Sequence, residues 1–214
     1  VTGGAGFIGS SFVKIALERG FQIRVLDDLS TGTEETASRL REMGVDVFIG
    51  DVRDSRLLET VMQGIDAVVH LAAQASVPLS IQTPNETADI NIKGTEYLLN
   101  KCIRFGIKRV IMASSAAVYG ENENFPLSEK DGGDLLSPYA ESKWENEHQI
   151  SRARDEGLEA VALRFFNVYG IGQRPDSAYA AVIPKFIDLM VQGKAPQVYG
   201  DGLQTRDFVH VRDV

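Results

Sequence analysis

Cysteine is nearly absent: Cys102 stands alone among 214 residues. That excludes an internal disulfide and a cysteine-based metal cluster. Cys102 falls in a helical pattern and reads as a buried structural thiol, a usage that suits a reducing cytoplasm. Long apolar runs are missing too. None approaches the ~20 residues that a bilayer span needs, so no membrane association is expected. The leading residues do not follow the charged, apolar and small-residue order of a signal peptide. Positive charge is in deficit, with 22 Lys and Arg against 30 Asp and Glu and a net charge of −8. An acidic surface argues against nucleic acid or anionic membrane as a general partner. Histidine is scarce: His70 has no partner histidine at ligand spacing, so it is assigned to packing and no metal site is expected. Repeats, low-complexity tracts and flexible linkers do not occur.

What is present is a hydrophobic fraction of 43% over 214 residues. That supports one sizeable α/β domain, or one domain plus part of another. Strand-like runs at 22–26, 45–49, 66–70, 109–113 and 159–163 alternate with helical patterns at 7–19, 33–43, 55–62, 86–104 and 137–156. Short apolar strands separated by helices are the signature of a Rossmann-type, doubly wound parallel sheet covered on both faces. Ligands then gather beyond the carboxyl ends of the strands. After Arg164 glycine, proline and aromatics interrupt short segments, with one helix at 181–192. The expected division is a dinucleotide-binding domain over 1–164 and the beginning of a small substrate-binding cap over 165–214. Only Val1 and Thr2 precede the first glycine, where a strand needs ~5 residues. The last residues, Val211 to Val214, stop inside a motif. The chain therefore reads as an internal fragment of a longer protein.

Thr2 to Ser10 read Thr-Gly-Gly-Ala-Gly-Phe-Ile-Gly-Ser. Gly4, Gly6 and Gly9 fit G-x-G-x-x-G, and Gly3, Gly6 and Gly9 fit the related G-x-x-G-x-x-G. The chain has to turn sharply out of a strand and bring backbone N–H groups against a pyrophosphate. A side chain at Gly6 would block that approach, and Gly9 lets the helix pack close to the sheet. The helix that starts near Phe7, with Ile8 and Gly9 in its first turn, points its positive end at the phosphates. Asp27 closes the next strand about 18 positions after Gly9. Its carboxylate can accept hydrogen bonds from both ribose hydroxyls and would repel a 2′-phosphate, so the cofactor is NAD rather than NADP. Asp51 and Val52, after the third strand, fit either an adenine contact or a helix cap. Leu71, Ala72 and Ala73 follow the fourth strand, where small residues would let the chain pass close to the cofactor.

Tyr139-Ala-Glu-Ser-Lys143 places a phenol and an ammonium four residues apart on one helical face. Ser114 and Ser115 leave the end of the preceding strand. Two unit charges at ~4 Å and an effective dielectric of ~20 interact by about 4 kcal/mol. That is roughly 3 pKa units, enough to bring a phenol from ~10 toward ~7. Lys143 is thus expected to make Tyr139 an acid/base at neutral pH.

The ordered motifs, from the glycine loop through Tyr-x-x-x-Lys to Gly200-Asp-Gly-Leu-Gln-Thr-Arg-Asp-Phe-Val-His210, carry a family resemblance. The chain resembles the extended short-chain dehydrogenase/reductase family, and within it the UDP-sugar 4-epimerases. The resemblance implies that Tyr139 is the acid/base, that Lys143 also holds the nicotinamide ribose, and that Ser115 hydrogen-bonds the reacting sugar hydroxyl. It implies that Asn91 braces the active-site helix. Asn167 and Arg206 become ligands of the sugar nucleotide's diphosphate, which suits the guanidinium–phosphate pair. Ser76 is a candidate sugar contact, and the segment Ser177 to Pro184 resembles the branch that handles larger UDP-sugars. The family's dehydratases carry an acidic pair where this chain has Ala116-Ala117, and its decarboxylases carry a glutamate there. Methyl groups cannot move protons, so simple epimerisation is expected. UDP-glucose, UDP-N-acetylglucosamine and UDP-glucuronate stay open as substrates. A dehydratase or reductase of the same family, or a non-catalytic dinucleotide sensor, is the alternative. The two long helices resemble those that form a dimer contact in the family, so a homodimer is expected.

Overall fold

The strands carry short apolar runs bounded by polar residues, such as Val25-Leu26 between Arg24 and Asp27 and Val110 to Ala113 between Arg109 and Ser114. In the computed structural model, which describes residues 1–133, 135–175 and 181–214, the chain divides into two units, Val1–Phe165 and Phe166–Val214. In the first unit β1 is Arg24–Asp27, β2 is Asp46–Ile49, β3 is Ala67–His70, β4 is Arg109–Ser115 and β5 is Glu159–Phe165. All pairings are parallel: β1 with β2, β3 with β4, and β4 with β5. Thr2 joins the two halves, bridging Leu26 on one side and His70 on the other. Its N–H donates to Val69 O (3.0 Å), and its carbonyl accepts from Leu71 N–H (3.1 Å). The spatial order is therefore β2, β1, Thr2, β3, β4, β5, and the direction of winding reverses at Thr2. In such sheets the ligand crevice lies at that reversal.

The helices follow local signals. They are α1 (Phe7–Glu18), α2 (Glu34–Glu42), α3 (Ser55–Val61), α4 (Val77–Gln82), α5 (Pro84–Ala88), α6 (Gly94–Arg104) and α7 (Pro138–Asp155). Thr33 caps α2 and Ser137 caps α7, each accepting the N–H three residues on. Pro138 opens α7, where its missing N–H is harmless. Successive strand residues face opposite ways, so Leu26, Val68, Val110 and Met112 build one core with Leu58, Leu98, Cys102 and Ile150. Val25 builds a second with Val13, Leu40 and Val45. Each such side chain contributes about 1.5–3 kcal/mol when fully buried.

Two differences from the sequence pattern bear on the site. β4 continues through Ser115, so both serines belong to the strand. The helix expected at 86–104 starts at Pro84 and contains a π turn, Asp89–Lys93, between α5 and α6. A helical hydrophobic period cannot report one extra residue in a turn. The second unit holds β6 (Asn167–Tyr169), α8 (Val182–Val191) and β7 (Phe208–His210). β6 and β7 pair in parallel, a contact across some forty residues that three-residue strands do not announce. Ser177 to Ala180, part of the segment read as favouring larger sugars, lie outside the described residues.

Candidate functional site

The glycine loop is shaped by its own backbone. Gly3 has φ +68°, and a Cβ there would sit 2.8 Å from Ala72 N. A Cβ on Gly9 would lie 2.1 Å from Gly3 O and 2.7 Å from Gly4 Cα. Both positions therefore exclude any side chain without help from a ligand. Gly6 is different: a Cβ there would meet only Gly3 O, at 3.3 Å. The space over Gly6 is open, and α1 starts beside it with no side-chain cap and no acidic residue in its first turn. Uncapped N–H groups, a positive helix end and an open glycine form a cradle that suits a pyrophosphate.

Asp27, the last residue of β1, is buried. Its Oδ2 accepts from Ala5 N–H (2.8 Å) and its Oδ1 from Leu29 N–H (2.9 Å). The carboxylate therefore stitches the glycine loop to the end of β1, a role the spacing alone did not reveal. Each oxygen keeps a lone pair for a ribose hydroxyl. Burial raises its pKa, and these backbone hydrogen bonds oppose that rise. The residues present thus fit NAD.

Asp51 accepts from Arg53: Nε donates at 3.0 Å to each carboxylate oxygen and Nη2 to Oδ2 at 2.5 Å. Arg53 also reaches Asp89 (2.6 Å). Hydrogen bonding to Arg53 holds the Asp51 carboxyl below its usual range. The cap of α3 is Asp54, which accepts from Arg56 and Leu57 N–H groups. This removes the helix-cap reading of Asp51. The Val52 side chain is buried in the core. Beyond β3, the backbone of Leu71 and Ala72 is what Gly3 packs against, so this segment runs beside the glycine loop.

α7 starts directly with the acid/base candidate. Tyr139 is its second residue and Lys143 lies one turn later. Lys143 is 5% exposed, and its Nζ donates to Ala113 O on β4 at 2.9 Å. Burial lowers its pKa to about 8. Its Nζ is 6.0 Å from the centroid of the Tyr139 ring. Burial raises the Tyr139 pKa, with a side-chain interaction with Ser115 pulling the other way. The expected fall toward 7 is therefore corrected: loss of water around the buried phenol disfavours the phenolate more than the surroundings favour it. Ser115 Oγ accepts from Ala117 N–H at 3.1 Å, which leaves its proton available to a further acceptor.

A neighbouring cluster was not read from the sequence. Ser114 Oγ donates to Glu147 Oε1 (2.5 Å), and Arg164 grips the same carboxylate through Nε (2.9 Å) and Nη2 (2.8 Å). The Arg164 guanidinium lies over the Tyr119 ring at 4.6 Å. The only sequence signal was Glu147, one turn beyond Lys143 on the same helix face.

Asn91 sits in the π turn and is 1% exposed. Its Oδ1 accepts from Gln74 N–H (2.8 Å), and its Nδ2 donates to Gln74 O (3.0 Å) and to Ser142 Oγ (2.9 Å). The widened turn exposes its carbonyl, which accepts from Asn146 Nδ2 (2.9 Å) and Thr95 Oγ1 (2.6 Å). Gln149 Nε2 donates to Ile92 O at 2.9 Å. Three residues of α7 therefore grip this turn.

Ser76 caps α4, accepting from Leu79 N–H at 3.2 Å. In the second unit Asn167 opens β6, exposed, with Nδ2 donating to Asp207 O (3.0 Å). Arg206 is exposed and donates to Thr205 O (2.7 Å). Among the described residues no His, Cys, Asp and Glu group could hold a metal ion.

The sequence matches the NAD dependent epimerase/dehydratase family over residues 1–214. It is 40% identical to a putative UDP-glucose 4-epimerase of Methanocaldococcus jannaschii, over 100% of this chain and 70% of that protein. Among solved structures, it is similar to a UDP-N-acetylglucosamine 4-epimerase from Methanobrevibacter ruminantium in complex with UDP-N-acetylmuramic acid. There the identity is 41% and the TM-score 0.94, covering 99% of this chain and 68% of that one. A UDP-glucose 4-epimerase from Thermus thermophilus, in complex with NAD, matches at 37% identity and TM-score 0.88, covering 99% of this chain and 70% of that one.

Proposed function

The chain belongs to the NAD-dependent epimerase/dehydratase family, and from that premise we propose that it inverts carbon 4 of a UDP-sugar through a 4-keto intermediate. Its cofactor is NAD. Gly3, Gly6, Phe7, Ile8 and Gly9 hold the pyrophosphate, and Asp27 the adenosine ribose. The Asp51 carboxylate and the neighbouring Val52 backbone amide hold the adenine, Leu71 to Ala73 line the cofactor, and Lys143 holds the nicotinamide ribose. When bound, NAD supplies a hydride acceptor at carbon 4 and a positive ring charge that favours the phenolate.

The chain's own residues manage the proton. Tyr139 takes it from the 4-hydroxyl as the bond between carbon 4 and hydrogen breaks. It returns the proton to the same oxygen when that bond re-forms on the opposite face. Ser115 hydrogen-bonds the reacting oxygen. Asn91 braces α7 so that Tyr139 and Lys143 keep their places. Asn167 and Arg206 take the diphosphate of the sugar nucleotide, and Ser76 contacts the sugar.

The observation that carries the reading is the meeting of Tyr139, Ser115 and Lys143 at the carboxyl end of β4, with only methyl side chains at Ala116 and Ala117. Elimination needs a group that can move a second proton, and those positions have none. A cytoplasmic homodimer belongs to the same proposal. Tyr97 on α6 is 41% exposed, which suits a helix contact, and the lone buried Cys102 suits a reducing compartment.

The test is product analysis with the full-length protein, NAD, and each of UDP-glucose, UDP-N-acetylglucosamine and UDP-glucuronate. The expected product is the 4-epimer. A stable 4-keto sugar or net NADH would overturn the proposal in favour of a dehydratase or reductase. NAD binding without turnover of any of them would favour a sensor.

A further inference from the structure

His70 ends β3 and is 4% exposed. The sequence assigns it to packing, but both of its ring nitrogens are engaged. Nδ1 lies 2.7 Å from Thr2 Oγ1 and Nε2 lies 2.9 Å from Thr95 Oγ1. The direction of each bond follows from counting protons. Thr95 has one hydroxyl proton and gives it to Asn91 O at 2.6 Å. Its oxygen must then accept from His70, so Nε2 carries the ring proton. In a neutral ring Nδ1 is then the acceptor, and Thr2 donates to it. The Thr2 oxygen is completed by Ala72 N–H at 3.2 Å. Every donor is used once, and the chain runs one way from Thr2 through His70 and Thr95 to Asn91. A second ring proton would make Thr2 Oγ1 the acceptor and leave the Thr2 hydroxyl proton without the partner it has now. Burial, with the Lys143 charge adding to it, holds the ring neutral by lowering its pKa to about 3.

The two ends of this chain are not equivalent places. Thr2 is the residue from which the glycine loop springs, and its backbone holds β1 and β3 together. Asn91 is in the π turn, gripped by Ser142, Asn146 and Gln149 of α7. We infer that His70 is a positioning residue that ties the strand feeding the glycine loop to the π turn holding the Tyr139–Lys143 helix, so that cofactor binding and catalytic-helix geometry are coupled. The kinetic part of this inference rests on the proposed epimerase activity, whereas the coupling itself does not.

Thr95→Val in the full-length protein cuts the link while keeping shape, and Asn91 O keeps its bond from Asn146. Thr95 lies on α6, two hydrogen bonds from the loop. The variant should nevertheless weaken NAD by about 5-fold or more, the low end of ordinary coupling between sites. Amide hydrogen exchange should rise at residues 2–10 as well as 89–95. Thr95→Ser, which keeps the hydroxyl, should behave as wild type. His70→Leu should reproduce Thr95→Val, and the double variant should add little to either. In turnover, kcat should fall with KM for the sugar nucleotide within about twofold, the pattern of lost transition-state geometry. If Thr95→Val binds NAD like wild type and leaves exchange at residues 2–10 unchanged, the inference is wrong. Additive effects of the two substitutions would also overturn it. Coupling in a wild-type protein that epimerises nothing would uphold it and sink the functional reading instead.

Discussion

The glycine loop and the catalytic helix meet the same demand by opposite means. The loop is positioned by a lack of atoms: at Gly3 and Gly9 the backbone runs so close to itself and to Ala72 that no Cβ fits. The helix is positioned by buried polar side chains, with Asn91, Ser142, Asn146 and Gln149 all nearly inaccessible and hydrogen-bonded. Shape resists enlargement, whereas in a buried hydrogen-bond network removing one partner leaves the other unsatisfied at a cost. A loop made of backbone can grip a phosphate that carries its own charge. A helix proposed to hold a phenol and an ammonium at one reacting carbon needs side chains with defined directions.

The difference is open to test, beginning at the helix. Tyr139→Phe removes one oxygen and should lower epimerisation by about 10²–10⁴-fold, with NAD affinity unchanged in a titration. Lys143→Met should also cripple turnover, yet stabilise the protein. The folded pKa is lowered from 10.5 to about 8, so the folded state holds its proton less firmly than the unfolded chain. The ammonium therefore costs stability at neutral pH, on the order of 3 kcal/mol. That cost fades as pH rises from about 8 to 10.5. Denaturation at pH 7 should show the gain for Lys143→Met, and the gain should shrink through that window. At the loop, Gly9→Ala should destabilise by about 1–3 kcal/mol and more if the turn cannot shift, and lose NAD with it. Gly6→Ala is the smallest in stability, within ~0.5 kcal/mol, because its Cβ meets only Gly3 O. Its NAD affinity should still fall by about tenfold, or ~1.4 kcal/mol, which separates a glycine kept for the ligand from one kept for the fold.

The same contrast decides what could be read in advance. The loop is local: nine consecutive residues and Asp27 announce it, and the alternation of strand and helix announces the sheet around it. Tyr139 and Lys143 could be paired because a helix face has a fixed period, whereas the family resemblance singled out Ser115 from its neighbour Ser114. The His70–Thr95–Asn91 chain could not, since its members lie 20 or more residues apart or within a π turn that no hydrophobic period reports. The Glu147–Arg164 pair joins a helix to the next strand and depends on register. The electrostatics of Tyr139 escape the sequence for a related reason. Sequence spacing gives a distance along a helix, but it does not give the burial that opposes the charge.

The most direct measurement follows deuterium. The full-length protein is given UDP-glucose or UDP-N-acetylglucosamine deuterated at carbon 4, and the 4-epimer is analysed by mass and NMR. If hydride leaves and returns within one site, the deuterium remains at carbon 4 of the product and no NADH accumulates. Loss of the label to water, or a deuterated NADH pool beside a 4-keto sugar, would contradict epimerisation at this site.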